Sequence, residues 1–145
     1  MSYMANLKRD KFVKNHLNYL NLAFHQAEIN LGSTNTNPAV GCIIEKNGSV
    51  ISSGYTSCNG RPHAESNALK KKINFKGANI YSTLEPCSHY GKTPPCVNKI
   101  IKKGIKNVFF SIYDIDNRSK KKSKKKFRLH RIKTHSNLLE KKGRN

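Results

Sequence analysis

Acidic side chains are scarce in this 145-residue chain: 8 Asp and Glu stand against 28 Lys and Arg, a formal net charge of +20. No run of 18 or more apolar residues occurs, which is the length a helix needs to cross a bilayer, so no membrane partner is expected. Residues 1–10 lack the apolar core of a secretory signal. There is no internal repeat. The length suits one domain with a real core and is too short for two ordinary ones. The shortage of acids invites a nucleic-acid reading. Heavy use of lysine, asparagine and isoleucine together argues instead for a compositional bias, so nucleic acid is not expected as a partner. The excess is uneven, because residues 117–145 hold 13 Lys or Arg and a single acid, Glu140. The block Lys120-Lys121-Lys122-Ser123-Lys124-Lys125-Lys126 repels itself and is expected to be a solvated tail.

Periodicity organises the rest. Residues 10–31 read as an amphipathic helix, with Phe12, Leu17, Leu20, Phe24 and Ala27 at helical spacing and Gly32 placed to end it. Residues 40–45 and 50–55 are strands joined by the two-residue turn Asn47-Gly48. Pro62 suits the first turn of a short helix that carries His63, Glu65 and Leu69 and ends near Lys72. Residues 78–84 form a strand, broken by Glu85-Pro86-Cys87. Pro94-Pro95 starts a helix through Cys96, Ile100 and Ile101, closed by Gly104, and residues 108–113 form a further strand. Helices alternating with strands predict an α/β layered domain.

Into this pattern fall His63-Ala64-Glu65, Pro86-Cys87 and Cys96. One imidazole and two thiolates suit a single zinc ion, with the fourth tetrahedral position left for water. Zinc lowers the pKa of such water. Glu65, two residues from His63, is placed to move protons as the catalytic acid–base without holding the metal. Each residue also has a plainer reading. Alone, His63 is a surface or capping histidine, Glu65 a first-turn acid on a helix dipole, and four cysteines allow two disulfides. Ligand thiolates must stay reduced, which favours a cytoplasmic location. Cys42 reads as a buried small hydrophobe and Cys58 as a bystander in a polar loop. Glu85 supports the turn at the strand end or bonds behind the ligands. His89 serves loop structure or substrate contact.

The set resembles the H-x-E…P-C-x-x-C pattern of zinc-dependent nucleobase deaminases, with one departure: residues 88–95 separate Cys87 from Cys96. Together with Asn37-Pro38-Ala39-Val40-Gly41-Cys42, Gly60-Arg61-Pro62-His63-Ala64-Glu65 and Thr83-Leu84-Glu85-Pro86-Cys87-Ser88-His89-Tyr90-Gly91-Lys92-Thr93-Pro94-Pro95-Cys96, this long spacing is similar to the deaminase domain of the bifunctional riboflavin-biosynthesis deaminase/reductases. The resemblance runs from the first helix to Asp116 and weakens after it. It implies a three-layer α/β/α cytidine-deaminase-like sandwich around a central mixed sheet. Residues 1–116 would form the deaminase core, and residues 117–145 a basic segment that completes or trails it. The chain ends where the family's reductase domain would start, so a separate reductase partner is an expectation, as is a homo-oligomer.

The resemblance also implies roles. The substrate would be a phosphoribosylaminopyrimidine, deaminated hydrolytically with one zinc per chain. Asn37 would meet the pyrimidine edge, Lys92 the phosphate, and Asp114 and Asp116 the ribose. Here the family's Asp-Pro-x-Pro context reads Asp114-Ile115-Asp116-Asn117, and Lys121-Lys122-Ser123-Lys124 replaces its Gly-Lys-Gly-Ile element. The final helix is therefore expected to pack poorly. Two rivals stand beside this reading: a nucleobase deaminase acting on RNA, favoured by the basic segment and opposed by the cysteine spacing, and a non-catalytic basic relic that has no need of all three ligands and Glu65.

Overall fold

Successive strand residues point to opposite faces of a sheet, and here both faces are apolar. The computed structural model describes residues 3–116 and 118–144. Side chains at positions 3, 7–10 and 12 lie outside the described set, and with them the expected packing of Phe12. β1 (Gly41–Lys46), β2 (Ser49–Tyr55), β3 (Asn79–Leu84), β4 (Asn107–Ile112) and β5 (Lys133–His135) form one five-stranded sheet in the order β2-β1-β3-β4-β5. β1 is antiparallel to both β2 and β3, whereas β3, β4 and β5 run parallel. Cys42 and Ile44 of β1, Ile80 of β3 and Val108 and Phe110 of β4 face one buried cluster. Their alternate neighbours Ile43, Tyr81 and Phe109 face a second.

Each face recruits its own helices. α1 (Tyr3–Ala27) covers the second cluster with Leu20 and Ala23, joined by partly buried Tyr19 and Phe24. α2 (Ala64–Ala68), α3 (Cys96–Lys102) and α4 (Lys122–Leu129) cover the first with Ala64, Ala68, Val97, Ile100 and Phe127. A short α5 (Glu140–Arg144) follows Leu138 and Leu139, which pack on the α1 side. The molecule is thus the expected α/β/α sandwich with a mixed sheet. Among the described residues, no helix is long and apolar enough to cross a membrane.

Several boundaries differ from the sequence-based expectation. α1 begins at Tyr3 rather than Asp10 and stops at Ala27 rather than Leu31; Leu31 is 72% exposed. No proline or glycine interrupts residues 3–10, so nothing in the backbone stops the helix at Asp10. α2 is shorter than expected and ends at Ala68. The larger correction concerns the lysine block. It is not a solvated tail throughout: α4 buries Ser123 and Phe127 completely, and Lys126 Nζ donates to the Ser88 carbonyl at 3.0 Å. Charge repulsion set the expectation, but Phe127, the Ser123–Glu85 bonds and one reaching ammonium dock the helix while Lys122 and Lys125 stay exposed. The final helix, α5, buries no residue, in keeping with the expected poor packing, although Ile132 before it is buried and Leu138 and Leu139 pack against the aromatic side of the sheet.

The turn at Asn47-Gly48 has both residues at positive φ (53° and 84°), as a two-residue hairpin of the I′ type requires. Gly54 in β2 is needed for another reason. A Cβ there would sit 2.4 Å from the Ala64 carbonyl oxygen and 2.6 Å from the Ala68 nitrogen. α2 lies directly on this glycine. Gly54→Ala should therefore push α2 outward and lower unfolding free energy by about 1–3 kcal/mol, the usual cost of overpacking, as measured by chemical denaturation.

Candidate metal and active site

Strand directions bring distant residues to one edge of the sheet. The start of β1, the end of β2 and the ends of β3 and β4 all lie there, because β1 is antiparallel to both its neighbours and β4 is parallel to β3. Ligand crevices of open α/β sheets lie outside the carboxyl ends of the parallel strands. A cavity of about 240 Å³ opens at this edge. Its walls include Asn37 before β1, Thr56 and Arg61 after β2, Glu85, Cys87 and His89 after β3, and Asp114 and Asp116 after β4.

His63 is the N-terminal capping residue of α2, and Cys96 opens α3 behind Pro95. Cys87 lies between β3 and α3. His63 Nδ1 is 3.7 Å from Cys87 Sγ and 3.6 Å from Cys96 Sγ. One donor atom from each of the three lies within 4.8 Å of the others. The backbone N–H of Cys96 donates to Cys87 Sγ at 3.2 Å. Charge follows from these contacts. A hydrogen bond from the Cys96 thiol, with help from His63, holds Cys87 at about 4. The same bond, together with burial, pushes Cys96 far up. His63 is raised chiefly by its bond to Cys87. One imidazole and two sulfurs suit zinc as a donor set, and three protein donors leave a position for a reacting molecule. Cys58 is exposed and outside this cluster, and Cys42 is buried in the core.

Glu65, in the first turn of α2, is 4% exposed, lines the cavity and accepts a hydrogen bond from Ser82 Oγ at 3.3 Å. Burial pushes its carboxyl above the ordinary range, a condition that suits a group which must both take and give protons. Glu85 is equally buried and differently occupied. Its Oε1 accepts from the backbone N–H groups of Asp114 (3.1 Å) and Lys121 (3.0 Å), and its Oε2 from the N–H (3.3 Å) and hydroxyl (2.6 Å) of Ser123. It braces the cavity wall.

The expected substrate residues divide. Asn37 lines the cavity, with its Nδ2 donating to the Gly60 carbonyl at 2.9 Å. Asp114 and Asp116 line it too. Asp114 Oδ1 accepts from the N–H of Asp116, and Asp116 is gripped by Arg118 at 2.6 Å, which holds its carboxyl below the usual carboxylate range. Lys92 is exposed and is not among the lining residues. It shares its loop with Thr93, whose Oγ1 accepts from Arg61 Nη1 at 3.2 Å. The sequence reading passed over Arg61 and Arg118 as lining residues. Arg61 was signalled by its place in Gly60-Arg61-Pro62-His63, and Arg118 only by its spacing from Asp116. Four of the chain's 8 acids, Glu65, Glu85, Asp114 and Asp116, line this one cavity.

The donor geometry yields a direct test. One zinc per chain is expected, and a Cys87→Ser, Cys96→Ser double variant should lose it while the wild type keeps it through gel filtration, as read by elemental analysis. Stoichiometric zinc in the double variant would refute the ligand set.

The family described as the cytidine and deoxycytidylate deaminase zinc-binding region matches residues 13–112. The riboflavin biosynthesis protein RibD of Actinobacillus pleuropneumoniae is 48% identical over 99 residues, covering 68% of this chain and 26% of that protein. A diaminohydroxyphosphoribosylamino-pyrimidine deaminase of Buchnera aphidicola is 43% identical over 97 residues, 66% of each chain. The crystal structure of a diaminohydroxyphosphoribosylaminopyrimidine deaminase/5-amino-6-(5-phosphoribosylamino)uracil reductase from Thermotoga maritima superposes with a TM-score of 0.84 at 35% identity, covering 90% of this chain and 38% of that one. This chain therefore spans about a quarter to two-fifths of the length of such RibD-type relatives. By the match, the fold and the site, the chain belongs to the zinc-binding cytidine and deoxycytidylate deaminase family.

Proposed function

We propose that this protein hydrolyses 2,5-diamino-6-(5-phosphoribosylamino)pyrimidin-4(3H)-one to 5-amino-6-(5-phosphoribosylamino)uracil and ammonia. The observation that carries this reading is a buried carboxylate, Glu65, lining the same cavity as His63 and Cys87, which cluster with Cys96 as a set of metal donors. The deaminase and reductase names of its relatives support the choice of substrate. Bound by His63, Cys87 and Cys96, zinc would supply a lowered pKa for the reacting water. The chain's own residues do the rest. Glu65 takes a proton from water as oxygen adds to the carbon bearing the 2-amino group. It delivers protons to the ring nitrogen and to the departing nitrogen, the C–N bond breaks, and ammonia leaves. The amide of Asn37 offers donors and an acceptor to a heterocycle edge. Asp114 and Asp116 face the ribose. Lys92, on the loop that Arg61 touches through Thr93, meets the phosphate outside the cavity mouth. The product is what the second activity named for the Thermotoga relative reduces, so a reductase, fused or separate, acts next. A homo-oligomer in the cytoplasm completes the reading.

Glu65→Gln separates proton transfer from metal binding. It should keep zinc and the fold yet lose about a hundred- to ten-thousand-fold in turnover, the typical range for a general acid–base group, and more if one carboxylate serves every transfer. Ammonia release from the pathway intermediate, with tRNA as the competing substrate, is the assay; faster release from tRNA would move the reading to an RNA base deaminase.

Lys92→Ala tests the phosphate contact. One charge-assisted hydrogen bond is worth about 1.5–3 kcal/mol, so KM for the phosphoribosyl substrate should rise roughly ten- to a hundred-fold, whereas binding of the free pyrimidine base should change little. Equal losses for both ligands would remove Lys92 from the phosphate.

A further inference from the structure

α2 and α3 each begin at a metal donor, and a residue three positions on lies on the same helical face one turn further in. From His63 that residue is Ser66, and from Cys96 it is Lys99. The two meet across the α2–α3 contact. Lys99 Nζ donates to Ser66 Oγ at 2.8 Å, and Ser66 Oγ lies 3.8 Å from Cys96 Sγ. An ammonium has only protons to offer, so the serine oxygen is the acceptor in that pair. The hydroxyl hydrogen is left to turn toward the sulfur. Both side chains are half-buried, and neither lines the cavity. Substrate contact therefore does not account for them.

We propose that Lys99, acting through Ser66, is a positioning residue for the metal site: it fixes the Ser66 hydroxyl so that it bonds and orients Cys96 Sγ. The proposal rests on the reading of His63, Cys87 and Cys96 as the metal donors. Groups behind the ligands orient them, and their loss commonly weakens metal affinity about 10–100-fold. Lysine is suited to the task here because its long stem spans the gap between two helices while its ammonium lands on the serine.

The test is zinc affinity of the apoprotein, measured by competition with a chromophoric chelator. Lys99→Met and Ser66→Ala should each bind zinc roughly ten-fold or more weakly. The double variant should be no weaker than the worse single variant, because both changes cut one relay. Lys99→Arg should recover much of the affinity, since a guanidinium can still donate to Ser66. With cobalt(II) in place of zinc, the sulfur-to-metal charge-transfer band should shift in Lys99→Met even at saturation, a signature that a merely destabilised fold does not produce. Zinc bound as tightly by Lys99→Met and Ser66→Ala as by wild type, with binding lost in Cys96→Ser, overturns the relay alone. Zinc bound equally by wild type and Cys96→Ser overturns the donor reading and the relay with it.

Discussion

The Glu85 carboxylate joins three parts of the chain that are far apart in sequence. It sits at the end of β3, immediately before Pro86-Cys87, and its two oxygens hold the backbone of Asp114 after β4 and the start of α4 at Lys121 and Ser123. A buried carboxylate is costly unless its oxygens are bonded, and here both are. The constraint works in both directions. It keeps Glu85 satisfied, and it sets where the 113–123 segment can run. That segment carries Asp114 and Asp116 to the cavity wall and aims α4 at the core. Ser119 is held from the same side, accepting from the Ser88 N–H at 3.2 Å and bonded to His89. The loop that follows Cys87 is thus pinned by residues from the end of the chain.

Charge is distributed in a way that composition hides. A chain with a net charge of +20 places half of its 8 acids around one cavity. Arg118 is paired with Asp116, and Arg61 lies toward the Lys92 loop. Acidic and basic side chains thus share the walls of the cavity, with Arg61 and Arg118 beside the four acids. Among the described residues, several cations are half-buried and bonded, including Lys126 to the Ser88 carbonyl, Lys99 to Ser66 and Lys46 to the Asn74 carbonyl.

The legibility of each part follows its physics. β1, β3 and β4 were readable because a strand buried on both faces is apolar almost throughout, as in Ile43-Ile44 and Val108-Phe109-Phe110. The Asn47-Gly48 turn was readable because few residue pairs tolerate two positive φ values. β5 was not, since Lys133-Thr134-His135 is a short edge strand with little apolar content. α4 was not legible because a helix whose one buried apolar side chain is Phe127 carries almost no periodic signal among its lysines.

By itself the sequence determined the chemistry available: one histidine, two cysteines and a nearby glutamate, in a spacing whose residue types admit few other uses. Those are covalent properties, carried by the side chains wherever they lie. It determined equally that strands and helices alternate, because apolar spacing is a local property. Only the tertiary structure decided which groups meet. Strand direction put the start of β1 and the ends of β2, β3 and β4 at one edge, so that Asn37, Glu65, Cys87 and Asp114 line one cavity while Lys92 stays outside it. The occupation of Glu85 by donors from the 114–123 stretch and the reach of Lys99 to Ser66 are likewise products of packing. Each depends on distances of about 3 Å between atoms, and no spacing along a chain encodes such a distance until the sheet has formed.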